Sequence, residues 1–298
     1  MDLPTSVTAL GEQLEGTGEI VPDAALFSEP GVFAAERERI FARPWIAADH
    51  ATRLAEDGRY FRFDADSRSI IVTRDSEGRL HALRNVCIHA GYPVCDAEDG
   101  SAERLMCPYH GWEYALDGRL VEPELSSRID PSRLRLTSYR VCVRDGLLLV
   151  APSVGPVSDE GIAGPLPAWL ADGKVTSREC YKTTWNWKFL LNFVGSRPHL
   201  FSAGPTDAAG HDSCFEFGPL SRMMVNSQRA VLVRVIPKFA ERTDLQLIEI
   251  ASGDTPAETA SLAADDGVAE ELRRGGVPSS SDLDRKFFSW YWSLMSPV

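Results

Sequence analysis

A chain of 298 residues with 44% hydrophobic content is long enough for two modest domains, each with a core of its own. Its 31 Lys and Arg against 43 Asp and Glu give a net charge of −12, which argues against nucleic acid or an anionic membrane surface as a partner. No apolar run reaches membrane-spanning length, and MDLPTSVTALGEQLEG has neither the basic nor the apolar segment of an export signal, so the expected location is the cytoplasm, without a membrane.

In chain order, residues 1–21 are polar, contain Gly and lack period, and read as a loosely packed arm. SEPGVFAAERERIFARPW reads as a helix, with Ser28 as cap, Pro30 in the first turn, and Phe33, Ile40 and Phe41 on one face. Pro44 ends it, and Trp45 is expected in a core. Residues 1–41 thus form an arm and a lead-in helix.

From Tyr60 the pattern changes to short strands. YFRF and SIIVTR precede a turn at Asp75–Gly78, and RLHALRN follows it. Asp117-Gly118 and Asp145-Gly146 are further turns, the second leading into the buried strand LLLV. His81 reads as a half-exposed strand residue and His50 as a loop residue. Residues 42–151 form one small all-β domain.

Within that domain lies NVCIHAGYPVCDAEDGSAERLMCPYHGWEY, residues 85–114. Cys87 and His89 form one close pair, and Cys107 and His110 a second. Each pair offers a thiolate and an imidazole. That set, two Cys on one iron and two His on the other, is what a Rieske [2Fe–2S] cluster uses. Thiolates bind deprotonated and stabilise ferric iron, and neutral imidazoles on the second iron raise the reduction potential. Gly111 lets the backbone pass close to the cluster, Pro108 stiffens the loop, and Trp112 shields it. A zinc knuckle is the alternative, but zinc fingers usually pair Cys with Cys and His with His. With only six Cys and six His in the chain, chance clustering is the weaker explanation. Cys95, Cys142, Cys180 and Cys214 lack framework spacing and read as free, mostly buried thiols.

Residues 152–176 are rich in Pro, Gly and Ser and read as a linker. Residues 177–298 read as an α+β domain. Strands are expected over Tyr181–Trp187, Arg229–Ile236 and Leu245–Ala251. Helices are expected over Trp187–Gly195, Pro256–Arg274 and Leu283–Leu294, the last burying Phe287, Trp290, Tyr291 and Leu294. Trp185, Phe189, Phe193, Phe201 and Phe215 fit either a core or a pocket wall.

The pattern Cys87-x-His89 followed by Cys107-x-x-His110-Gly111-Trp112 resembles that of the aromatic-ring-hydroxylating oxygenase α subunits. Where that family usually has Arg-Gly after the first His, this chain has Ala90-Gly91. The resemblance implies a [2Fe–2S] cluster and a catalytic domain made of a sheet on a long C-terminal helix, a helix-grip-like arrangement shortened here. It also implies a mononuclear Fe(II) site after Asn186-Trp187-Lys188, built from two His and an Asp. Asn192-Phe193-Val194-Gly195 continues the match. The family's bridging Asp then falls on Ser196, its first His on His199, and its second His near Gly204, where none lies. Asp265 or Asp266 is the candidate carboxylate, and His211 or Asp207 a candidate replacement ligand. Pro198 removes a backbone donor and disfavours helix at Arg197, so the carrier helix should end early. Arg197 adds positive charge beside a cation site.

The resulting expectation is a Rieske-type electron-transfer subunit of a hetero-oligomeric, trimer-based oxygenase, its own mononuclear site lost. Its donor would be a ferredoxin or a flavin/NADH reductase, and its acceptor a catalytic α-type subunit. One alternative is an active mono- or dioxygenase of a small, aromatic or other, substrate with unusual iron ligation. The other is a non-catalytic structural or redox-sensing paralogue.

Overall fold

The computed structural model describes residues 2–42, 44–121, 134–153, 165–201, 213–253, 267–274 and 282–296. It divides into two compact units, Trp45–Asp159 and a second made of Met1–Pro44 with Glu160–Val298.

Among its described residues the first unit holds ten strands: β1 (Ile46–His50), β2 (Arg59–Ala65), β3 (Arg68–Arg74), β4 (Leu80–Arg84), β5 (Asp99–Ser101), β6 (Arg104–Met106), β7 (Glu113–Ala115), β8 (Leu120–Val121), β9 (Ser138–Arg144) and β10 (Leu147–Ala151). Seven form an antiparallel sheet in the order β1-β10-β9-β4-β3-β2-β5, and β6-β7-β8 form a small second sheet. Hairpin chemistry explains the connections. Asp145 and Gly146 both have positive φ (47° and 83°), as a two-residue turn matched to strand twist requires. Asp75 caps its own turn by accepting from the N–H groups of Glu77 and Arg79.

Between the large and small sheets lies a core of Ile71, Leu83, Val94, Leu105, Tyr114 and Leu120, and Cys87 and Cys107 belong to it. Phe61, Phe63, Ile70, Val72, Leu148 and Val150 fill a second cluster. The Thr73 hydroxyl donates to the Leu116 carbonyl at 2.6 Å, joining β3 to the loop after β7. His50 is not a loop residue. It ends β1, is fully buried, and its Nδ1 lies 2.8 Å from the Thr52 hydroxyl. His81 is a half-buried strand residue 2.8 Å from the Asp75 carboxylate.

In the second unit, β11 (Lys174–Thr183), β12 (Ser213–Glu216), β13 (Ser221–Val225), β14 (Arg229–Phe239) and β15 (Arg242–Ala251) form an antiparallel sheet in the order β11-β15-β14-β13-β12. Its helices are α1 (Thr5–Glu15), α2 (Ala25–Ser28), α3 (Pro30–Glu36), α4 (Trp187–Ser196), α5 (Gly267–Arg274) and α6 (Arg285–Met295). α4 packs on β14 and β15, placing Trp187, Leu190 and Phe193 against Val233, Val235, Leu245 and Leu247 in one core. The part of Pro256–Arg274 before residue 267, and residues 154–164 of the 152–176 linker, lie outside the described residues. Strand β11 begins at Lys174, and a 3-10 turn over Ala168–Asp172 buries Leu170, so the sheet starts before residue 177.

The N-terminal residues are not a loose arm. Val7 and Leu10 of α1 are buried in the same core, and Gly11 lies against Trp292 of α6, where a Cβ would come within 2.5 Å of the indole. Pro30 occupies the first turn of α3 with Glu29 as cap, while Ser28 closes the separate turn α2. A π-helical turn over Arg37–Phe41 continues α3 and buries Ile40 and Phe41.

Four side chains tie three of these helices together. The Glu36 carboxylate accepts from the Trp187 indole N–H (2.8 Å), the Tyr291 hydroxyl (2.8 Å) and the Lys188 ammonium, which also donates to the Leu26 carbonyl at 2.7 Å. All four are fully buried. Burial holds the Lys188 ammonium below its ordinary pKa while the Glu36 charge opposes that shift. A buried ion pair with every partner satisfied fixes the relative placement of α3, α4 and α6.

Candidate metal centre

The two ligand loops share one backbone design. In the first, the Cys87 N–H donates to the Tyr92 carbonyl (2.7 Å) and the Gly91 N–H to the Cys87 carbonyl (2.9 Å). In the second, the Cys107 N–H donates to the Trp112 carbonyl and the Gly111 N–H to the Cys107 carbonyl, both at 2.9 Å. Each turn closes through a glycine at positive φ, 73° for Gly91 and 70° for Gly111. The close backbone approach expected at Gly111 is thus matched at Gly91, which the sequence marks only as part of Ala90-Gly91. The equivalent spacing of Gly91 from Cys87 was the available signal.

The first loop follows β4, and the second joins β6 to β7. Asn85 anchors the first. Its side-chain oxygen accepts from the N–H groups of Val94 and Cys95 (both 2.8 Å), and its amide donates to the Cys95 carbonyl at 2.7 Å. Cys95 is therefore a packed residue that closes this loop.

The site is polarised by depth. Cys87 and Cys107 are 2% exposed, whereas His89 and His110 are open to solvent. The Nδ1 atoms of His89 and His110 face each other at 3.1 Å. The His89 ring stacks on Trp112 with centroids 4.7 Å apart, and Tyr92 stacks on Tyr109 beside His110. Trp112 thus holds an imidazole as well as shielding the loop. Among the described residues, no group of three or more His, Cys, Asp or Glu gathers round a single ion. Two thiols on one side and two imidazoles on the other are instead the donor set for a binuclear iron–sulfur cluster, with two protein ligands per iron.

Tyr114 was missed in the sequence. It is fully buried on β7, with its hydroxyl 3.1 Å from Cys87 Sγ, and it accepts from the Ile88 N–H at 3.3 Å. A deprotonated sulfur can only accept, so with Cys87 as a thiolate the Tyr114 hydroxyl donates to it. Burial pushes the Cys87 thiol up, but hydrogen bonding by Tyr114, the His89 N–H, Cys107 and the Ala90 N–H outweighs it and leaves Cys87 below its ordinary pKa. Burial, reinforced by Cys87, raises Tyr114, so it stays a proton donor. The environment therefore favours a thiolate, the form that binds iron.

The second region is built on α4. The Asn186 side chain caps it by accepting from the Lys188 N–H at 3.0 Å. The helix ends at Ser196, and Arg197 leaves helical geometry (φ −128°, ψ 55°), as Pro198 requires. His199 lies in the 3-10 turn Pro198–Phe201. Asp207, His211, Asp265 and Asp266 lie outside the described residues. Near the C-terminal end of α4, a cavity of about 310 Å³ is walled by Trp185, Phe189 and Phe193, with Ser196 and Arg197 also lining it. Phe201 is core, and Phe215 is a half-buried residue of β12. The remaining thiols divide: Cys142 is half-buried, and Cys180 and Cys214 are exposed, because their strands turn those positions to the outer face.

The profile of the Rieske [2Fe–2S] domain matches residues 44–140. The chain carries a Rieske domain. It is 25% identical over 222 residues to the glycine betaine monooxygenase oxygenase subunit of Pseudomonas aeruginosa, covering 66% of this chain and 52% of the relative. It is 31% identical over 218 residues to the chloroplastic choline monooxygenase of Beta vulgaris, covering 66% and 48%. The match thus spans about half the length of these curated relatives. Among solved structures, the apo quaternary ammonium Rieske monooxygenase CntA superposes with a TM-score of 0.68 at 20% identity, covering 91% of this chain and 92% of that one. Naphthalene 1,2-dioxygenase with indole bound superposes with a TM-score of 0.61 at 18% identity, covering 91% and 80%. The chain is homologous to Rieske oxygenase α subunits, and its two units share their fold. No described helix is long and apolar enough to cross a membrane.

Proposed function

We propose that this chain is the electron-transfer part of a Rieske-type oxygenase, with Cys87 and Cys107 on the inner iron and His89 and His110 on the outer iron of a [2Fe–2S] cluster. Bound there, the cluster supplies one-electron exchange at a potential raised by its neutral imidazoles. The observation that carries this reading is the polarity of the site. Two core thiols anchor one side, and two exposed imidazoles present the other to a redox partner. The donor is a ferredoxin or a flavin/NADH reductase, in the cytoplasm, and the acceptor lies on a catalytic α-type subunit in a trimer-based assembly. Ser196 at the bridging position and the early end of α4 support placing the acceptor outside this chain.

A second reading is favoured by the relatives, which are named as monooxygenase subunits, and by the aromatic-walled cavity at the end of α4. In it, the chain oxygenates a small substrate itself, with His199 and a carboxylate such as Asp265 or Asp266 holding a mononuclear iron. His199→Ala separates the two. The first reading predicts unchanged iron content and unchanged reduction of the cluster by a reductase. Loss of one iron with the cluster intact, and loss of substrate-coupled oxygen uptake, would establish the second.

A further inference from the structure

The two ligand loops are anchored at their bases and uncovered at their tips. Asn85 and Tyr114 hold the bases. Beyond the buried Cys87 and Cys107, residues 88–93 and 108–111 are all exposed. A Cβ built at Gly91 or at Gly111 would have no neighbour within 4 Å, so no other segment covers either turn at its glycine. Segments with few buried contacts and open backbone are the first to open in a folded protein. His89 and His110 sit on these segments.

A pair of rings spans the two tips. Tyr92 closes the first turn, its carbonyl accepting from the Cys87 N–H at 2.7 Å. Its ring stacks on Tyr109 of the second turn, with centroids 4.9 Å apart and planes 24° apart. Tyr109 in turn lies against the His110 ring, centroids 3.9 Å apart. The two tyrosines are 47% and 56% exposed, so burial in a core does not account for their placement. A further cross-loop stack, His89 on Trp112, places a ligand itself. The Tyr92–Tyr109 stack joins the loops without engaging any ligand.

We propose that Tyr92 and Tyr109 form a clasp that holds the loop tips closed and so keeps His89 and His110 on the outer iron. Both are positioning residues. They act by lowering the population of an opened loop from which iron is lost. The inference rests on the cluster reading common to both proposals above, and not on where the electron acceptor lies.

The test is cluster retention in the full chain, isolated with its cluster. Wild type, Tyr92→Leu, Tyr109→Leu and the double variant are treated with excess ferrous chelator under anaerobic, reducing conditions, and the loss of visible absorbance is timed. An aromatic stack shifts a local opening equilibrium about three- to tenfold, so each single variant should lose its cluster faster than wild type by about that factor. Both substitutions break the same contact, so the double variant should be no faster than Tyr109→Leu alone. Tyr92→Phe keeps the ring and should keep the wild-type rate. Should one Leu variant fail to take up a cluster, the other gives the same measurement from the opposite loop. Failure of both, with Tyr92→Phe and Tyr109→Phe loading normally, would be the same result at its limit. Rates within about twofold of wild type for both Leu variants would overturn the clasp. So would effects that multiply in the double variant, or a Tyr92→Phe variant as fast as Tyr92→Leu. Slower reduction by a ferredoxin or a reductase with unchanged cluster loss would overturn it too, and make the pair a docking surface instead. Absence of iron and sulfide from wild type would overturn the cluster reading itself, whereas a loaded wild type whose variants all behave alike overturns the clasp alone.

Discussion

Removal of one hydroxyl, by Tyr114→Phe, should lower the reduction potential of the cluster. The Tyr114 hydroxyl sits 3.1 Å from Cys87 Sγ, is fully buried, and has its own oxygen occupied by the Ile88 N–H. A donor aimed at a ligand sulfur favours whichever redox state puts more negative charge there, and that is the reduced one. A buried hydrogen bond contributes about 1 kcal/mol net. For one electron, a tenfold change in equilibrium is about 59 mV, so the loss corresponds to roughly 45 mV. The ring stays in its pocket in Phe, so the fold is kept at a cost of about 1–3 kcal/mol for the lost hydroxyl bonds, and the visible spectrum of the site should change little. A redox titration of wild-type and variant protein, followed by visible absorbance and EPR, measures the difference. A potential unchanged within about 10 mV, or a rise, would refute the argument that this hydroxyl donates to a cluster sulfur.

Lys188→Met removes the cation paired with the buried Glu36 carboxylate and should cost about 3–5 kcal/mol in chemical denaturation, with Glu36→Gln added to it restoring part of the loss; a cost below about 1 kcal/mol would contradict the role given to this network. Gly118 has φ +85°, and a Cβ there would come 2.8 Å from Leu83 Cδ2, so Gly118→Ala should lower stability by about 1–3 kcal/mol, as read from the denaturation midpoint of the Rieske domain. The Asp75 carboxyl is pushed up by burial, but bonds from His81, from the Arg79 main chain and side chain, and from the Glu77 N–H outweigh it and hold the carboxyl well below the usual range. Its contribution is therefore complete above the unfolded carboxyl pKa of about 3.9 and is lost as pH falls below that toward the folded value. The stability gap between wild type and Asp75→Asn should accordingly be flat near neutrality and shrink in acid; a gap that widens in acid would show the sign to be wrong.

How legible the molecule was depends on the kind of signal each part leaves. Cys87, His89, Cys107 and His110 stand out because few other residue types bind iron and sulfide, and because turns pin their spacing. The early end of α4 was legible because Pro198 acts through backbone sterics alone. Tyr114 and Asn85 were not, since a Tyr on a short strand and an Asn before a loop have many ordinary uses, and only the fold aims them at Cys87 and at the Val94–Cys95 backbone. Helix α1 was hidden by Pro4 and Gly11, yet Gly11 is needed where the helix meets Trp292. Lys188 read as part of a motif. Its role as a buried partner of Glu36, distant in sequence, required the packing of α3 on α4.

The most direct test of the central claim is the iron and acid-labile sulfide content of the purified chain, with EPR of the reduced protein. The account predicts two irons and two sulfides per chain, one Rieske-type signal, and no further iron. Zinc in place of iron and sulfide would contradict the cluster, and a third iron, lost on His199→Ala while the cluster signal persists, would contradict the placement of the electron acceptor outside this chain.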